Sequence, residues 1–98
     1  MYARVTPSRL PEPGKREEAR RLIDEVVVPA LRQLPGFRGY LALADPAADR
    51  GLAITLWDTR EQAETFRSTA AAREVLTKAE ALGYRFETPE TYEVIRQV

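Results

Sequence analysis

A chain of 98 residues with 44% apolar and 31% charged side chains has the size and composition of one folded, water-soluble domain. Lysine and arginine together number 15, as do aspartate and glutamate, so no global charge draws the chain to nucleic acid or to anionic lipid. Cysteine and histidine are absent, which excludes disulfides, thiolate metal sites and any imidazole ligand or base.

Arginine supplies nearly all the positive charge, with Lys15 and Lys78 the exceptions. Its planar guanidinium suits surface ion-pair networks and anionic ligands alike. No basic and apolar leader opens the chain and no apolar run nears membrane length, so a cytoplasmic location without a membrane partner is expected.

Met1 to Thr6 alternates as a strand does, ahead of Pro7, and Leu10-Pro-Glu-Pro-Gly14 is turn material. From Lys15 to Leu34 the spacing becomes helical. Ala19, Leu22, Ile23, Val26, Val27, Ala30, Leu31 and Leu34 form one apolar stripe, with Glu17, Glu18, Arg20, Arg21, Asp24 and Glu25 opposite. Pro29 lacks an N–H and must kink this helix or shift a hydrogen bond, and Pro35-Gly36 ends it.

Phe37–Ala44 and Leu52–Trp57 then read as two strands joined by Asp45-Pro-Ala-Ala-Asp-Arg-Gly51. The second puts Leu52, Ile54 and Leu56 on one face and Ala53, Thr55 and Trp57 on the other, so neither face is clearly polar. Thr59-Arg-Glu-Gln62 is a capping box opening a second helical region that runs to Leu82, with Gly83 as its stop. The apolar phase slips at Ser68-Thr69-Ala70, which predicts a bend or two short helices. Thr91–Val98 closes the chain as a strand, with Tyr92, Val94 and Val98 on one side.

The order β-α-β-β-α-β predicts a single α+β domain over residues 1–98. Its ferredoxin-like protomer would hold a four-stranded antiparallel sheet with both helices on one face. The apolar residues of the other face then need a cover, and a second copy of the chain is the simplest one, so a homodimer is expected.

Two stretches carry a family resemblance. Val28-Pro-Ala-Leu31 leads into Leu34-Pro-Gly-Phe-Arg-Gly-Tyr40, and Leu56-Trp-Asp-Thr-Arg-Glu61 continues through Phe66. Together they resemble the antibiotic biosynthesis monooxygenase-like domains of the dimeric α+β barrel superfamily. The resemblance covers nearly the whole chain. It implies a dimer of protomers with facing sheets and a pocket between sheet and helices. It also implies oxidation of small aromatic or quinone-like compounds without metal or flavin, so no cofactor is expected. One scaffold hosts many functions, and a non-catalytic small-molecule-binding or structural dimer module is the alternative. Haem degraders are also built on this scaffold. In an alignment on Trp57, their catalytic tryptophan falls on Phe66, their haem-ligating histidine on or near Leu76, and their first-strand asparagine at Pro7 or Ser8. All three are replaced, which argues against haem degradation here.

The candidate pocket residues are Arg4, Thr6, Tyr40, Trp57, Phe66 and Arg73. Trp57 either fills space at a strand–helix junction or stacks on a flat ligand while its indole N–H donates a hydrogen bond. Phe66 has the same two readings. Tyr40, like Tyr2, can present a hydroxyl, and Thr6 is a weaker polar candidate, as is Ser8. Arg4 is more informative: on a covered face its guanidinium must be paired or must meet an anionic ligand. Arg73 reaches from the second helix toward the same region, and either arginine also fits a solvated rim. No paired carboxylates, phosphate loop, nucleophile elbow or metal-ligand spacing is present. RNA-binding modules share the topology, but the basic and aromatic strand motifs on which they stack bases are missing.

Overall fold

The computed structural model describes residues 1–98. Its strands are β1 (Tyr2–Arg9), β2 (Phe37–Asp45), β3 (Arg50–Trp57), β4 (Arg85–Phe86) and β5 (Glu90–Glu93). Its helices are α1 (Arg16–Leu22), α2 (Val28–Arg32), α3 (Arg60–Thr65) and α4 (Ala70–Ala81). The sheet is antiparallel throughout, in the order β2-β3-β1, with β4 and β5 both paired to the far side of β1. This is the expected α+β, ferredoxin-like order with one difference: the fourth strand position is shared by two short pieces.

Pro7 accounts for that split. In an extended strand the N–H and C=O of one residue point to the same edge. The Pro7 carbonyl accepts from the Glu87 N–H at 2.9 Å, so the N–H that proline lacks also faces the fourth position. β4 pairs with Ser8 and Arg9 while β5 pairs with Tyr2 to Val5. The ladder is therefore interrupted opposite the one residue that cannot donate to it. β1 runs through Pro7 to Arg9 because its other edge, against β3, loses nothing. The expected last strand is correspondingly shorter. It ends at Glu93, and the residues from Val94 onward lie outside the sheet, Ile95 being fully out in solvent.

The first helical region is one stack with a widened middle. Ile23–Val27 forms a π turn between α1 and α2, and the Val28 N–H reaches back to the Ile23 carbonyl. Pro29 follows at the start of α2, where its missing N–H is tolerated, so the turn preceding it takes up the shift in hydrogen bonding. The second region breaks where the apolar phase slipped. Phe66–Ser68 is a 3₁₀ turn, and Thr69 leaves helical geometry to cap α4, its hydroxyl accepting from the Ala72 N–H at 3.1 Å. The same hydroxyl donates to the Phe66 carbonyl at 2.8 Å, which fixes the turn.

At the start of α3 both bonds of the Thr59–Gln62 capping box are made. Gly36 lies against this cap with φ of +79°, and its carbonyl accepts from the Asp58 N–H. A β-carbon at Gly36 would collide with the Gln62 amide, so the glycine is required by backbone geometry and by space together. The β2–β3 hairpin turns through Asp49 in the left-handed region, and the Asp49 carbonyl and carboxylate bind the Leu10 N–H and Arg16. That link ties the hairpin loop to the β1–α1 connection.

The packed centre is small. Leu31, Trp57 and Ala63 form the buried cluster, with Tyr2, Val27, Leu34, Phe37, Tyr40 and Phe66 packed around it. Only 11 of 98 residues are buried, too few for both faces of the sheet to be filled. Two surfaces account for the deficit: a cavity on the helix side and an aliphatic face on the other.

Candidate functional site

The strand register separates the two faces by side-chain size. Toward the helices point Arg4, Thr6 and Ser8 from β1, Gly51, Ala53 and Thr55 from β3, and Tyr40, Ala42 and Ala44 from β2. Away from them point Val5, Ile54 and Leu41 in one row across the sheet, and Leu52 and Leu43 in the next. The bulky aliphatics thus lie on the outer face, while the inner face is floored by small and polar groups. Helices standing on so thin a floor leave a void, and the structure has one of about 470 Å³ between sheet and helices.

From the helix side the cavity is walled by Leu22, Ile23, Val27 and Leu31 around the π turn and by Val75, Leu76 and Ala79 of α4. Phe66 closes one end, and Tyr84 stacks on Phe86 near the other, with ring centroids 5.5 Å apart. The lining is predominantly apolar, as small-molecule sites are. Its formal charges are one-sided: Arg4, Arg16, Arg20 and Arg67 against Glu87 alone. Arg16 pairs with Asp49 at 2.7 Å and Glu87 with Arg50 at 3.6 Å, while Arg4, Arg20 and Arg67 have no carboxylate partner.

Of the six residues singled out from the sequence, Arg4, Thr6, Tyr40 and Phe66 line this cavity together. Trp57 and Arg73 do not. Trp57, 1% exposed, sits one layer behind, between Phe37 at 5.7 Å and Phe66 at 5.2 Å. Its indole N–H is already donated to the Thr55 hydroxyl at 2.8 Å, so it has none to offer a ligand. Arg73 lies on the exposed side of α4. Arg67, Arg20 and Tyr84 are cavity residues that sequence patterning passed over. The slip in phase at Ser68 was the available signal for Arg67, because the 3₁₀ turn it produces sets that residue, although exposed, at the cavity rim.

Three groups in the cavity are electrostatically displaced, among them Tyr84, whose phenol is pushed up by burial. Arg4 is held below the usual arginine range, first by burial and then by the charge of Arg67, with Glu64 opposing. Burial, reinforced by Tyr84, pushes the Tyr40 phenol from its ordinary 10 up to about 12. A phenol whose folded pKa is raised contributes stability that is fully present below about pH 10 and is lost as pH rises toward about 12. Ultraviolet titration of phenolate absorbance should therefore show a component with a midpoint near 12 that Tyr40→Phe removes. The same variant should soften the fall in stability across that alkaline window.

No group of three or more histidine, cysteine, aspartate or glutamate side chains is placed to hold a metal ion, and no helix is long and apolar enough to cross a membrane.

The fold and the cavity together define an α+β protein that encloses a small-molecule-sized space between a sheet and its helices. Residues 1–78 match the family model described as antibiotic biosynthesis monooxygenase, and the chain belongs to that family. Among solved structures, it is similar to the cofactor-independent oxygenase SnoaB from Streptomyces nogalater. The TM-score is 0.74 at 16% identity, covering 99% of this chain and 94% of that one. It is also similar to a Deinococcus radiodurans protein provisionally assigned to antibiotic biosynthesis monooxygenases. There the TM-score is 0.77 at 17% identity, with 100% and 96% of the two chains covered. Rv0793 from Mycobacterium tuberculosis aligns with a TM-score of 0.69 at 15% identity over 99% and 98%. At such identities the likeness is one of fold. No curated protein sequence matches the chain.

Proposed function

We propose that this chain is a cytoplasmic homodimer, one domain per protomer, that oxidises small aromatic or quinone-like compounds with molecular oxygen in the cavity. The observation that carries the reading is an apolar, aromatic-ended void of about 470 Å³ in a member of this family, a volume suited to a compound of a few fused rings. The reaction is written with no external reductant. A phenolic compound with an activated CH₂ group gives up electrons to O₂; one oxygen atom becomes the new ring carbonyl and the other leaves as water with the two hydrogens.

The homodimer rests on the outer face of the sheet. Leu41, Leu43 and Leu52 are 50%, 47% and 37% exposed there, next to half-buried Val5, Ile54 and Leu56. A contiguous aliphatic surface in the middle of a small protein is an interaction surface, and a symmetric copy supplies the matching one.

Oxygen consumption with a panel of anthrone-type phenols tests the chemistry. The expected result is one O₂ consumed per carbonyl formed, abolished by Ala53→Leu, which fills the cavity from the sheet side without touching the Trp57 cluster. No turnover across the panel would leave the second reading, a non-catalytic small-molecule-binding module. One observation favours that reading: the cavity lining contains no histidine, and its sole carboxylate, Glu87, is engaged by Arg50.

A further inference from the structure

The one-sided charge of the cavity wall identifies what its ligand carries. We propose that Arg4 and Arg67 form an anion subsite at the Phe66 end of the cavity, so that the ligand is an aromatic compound with an anionic oxygen group, a carboxylate or an ionised phenol. The inference depends on the cavity being a ligand site. It does not depend on the ligand being oxidised there.

Three observations on different levels converge on this pair. The first is placement. Arg4 projects from the central strand of the sheet beneath the helices, and Arg67 comes down from the 3₁₀ turn that the Thr69 hydroxyl locks between α3 and α4. Chain elements far apart in sequence bring two cations to one end of a largely apolar space. The second is unmet hydrogen bonding. A guanidinium carries five N–H donors, and Arg4 gives one of them, to the Ala63 carbonyl at 3.3 Å. No fully buried side-chain nitrogen in the protein lacks a partner, so the remaining Arg4 donors are not sealed among packed atoms, and Arg4 is one of the residues that line the cavity. The third is the charge ledger. The nearest acid acting on Arg4, Glu64, is engaged by Arg60 at 3.2 Å, and neither Arg4 nor Arg67 has a carboxylate of its own. Like charges brought together by a protein of zero net charge raise its energy. An anion between them relieves that repulsion and takes up the free donors in a planar, two-point geometry.

A single bland surface explanation covers Arg67, which is exposed, but not Arg4, which is half withdrawn from water in mid-sheet. Thr6 and Thr55, on the same inner face, add hydroxyls alongside Arg4 without adding charge.

Calorimetric titration with 2-naphthoate and with its neutral isostere 2-naphthamide tests the subsite. Naphthoate should bind at least about tenfold more tightly, the effect of one charge-assisted hydrogen-bonded pair. Raising salt from about 50 to about 500 mM should erode that preference. Arg67→Gln should cut naphthoate affinity about tenfold and leave naphthamide within about twofold, and Arg4→Met should do the same. Because Arg67 is exposed, its variant stays folded even if replacing Arg4 disturbs the sheet. Equal affinity for acid and amide, an equal loss of both in Arg67→Gln, or no naphthoate binding at millimolar concentration would each overturn the subsite. Naphthoate has no activated CH₂ group and consumes no oxygen, so the two readings fail separately. Naphthoate preference without any anthrone turnover removes the oxygenase and keeps the subsite, and turnover of anthrones without that preference does the reverse.

Discussion

Trp57→Ala is expected to cost about 3–5 kcal/mol of stability, the range for truncating a large buried aromatic. A domain of this size has about 5–15 kcal/mol in total, so the variant should be largely unfolded at ordinary temperature or sit at its edge. The expectation rests on how little else is packed. Trp57 is one of three residues in the buried cluster and by far the largest, and it holds Phe37 from the start of β2 and Phe66 from the end of α3 on its two sides. Removing it leaves a void where β2, β3 and α3 meet and takes the donor away from the buried Thr55 hydroxyl. Since it is the only tryptophan, unfolding should be followed by far-ultraviolet circular dichroism in urea. Trp57→Phe keeps a ring in place and should lose clearly less. An alanine variant melting within about 1 kcal/mol of the parent would mean that the molecule is held together elsewhere.

How much of this was visible in the amino-acid order depends on the length over which each signal is averaged. Helix stripes, the capping box and the alternating β3 strand extend over enough residues for their period to show, and each appears in the structure where the pattern puts it. β4 is two residues long and has no period to read; it exists because β1 offers Ser8 and Arg9 as a template. Its separation from β5 follows from Pro7, which sequence reasoning took as a strand end when it is a gap on one edge only. The π turn was legible as a consequence, since Pro29 demanded some shift in bonding, but its form was not. For the site, the informative feature was present and under-read. The two faces of the β2–β3 hairpin differ less in polarity than in volume, with Ala42, Ala44, Gly51 and Ala53 on one and Leu41, Leu43, Leu52 and Ile54 on the other. Small residues facing helices announce a hole, and that volume contrast, not hydrophobicity, locates the cavity.

The same contrast places the second large effect on the outer face. Ile54 pairs with Val5 on one side and Leu41 on the other, at the centre of the aliphatic surface. For a lone protomer, Ile54→Glu would exchange a half-exposed isoleucine for a solvated charge at little cost, and β-strands with one polar face are ordinary. For a dimer with facing sheets, symmetry sets the new carboxylate against an apolar surface and against its own copy, unpaired in both protomers. The expected result is therefore a change in assembly. The parent should sediment as a dimer at micromolar concentration with a melting temperature that rises with protein concentration, and Ile54→Glu should sediment as a monomer that melts earlier and independently of concentration. Leu43→Glu, one row from the centre, should weaken association less. The cavity lies on the other side of the sheet, so any naphthoate binding that survives in a folded Ile54→Glu monomer would separate ligand recognition from pairing, whereas a parent chain that is itself monomeric leaves the outer face without the partner proposed for it.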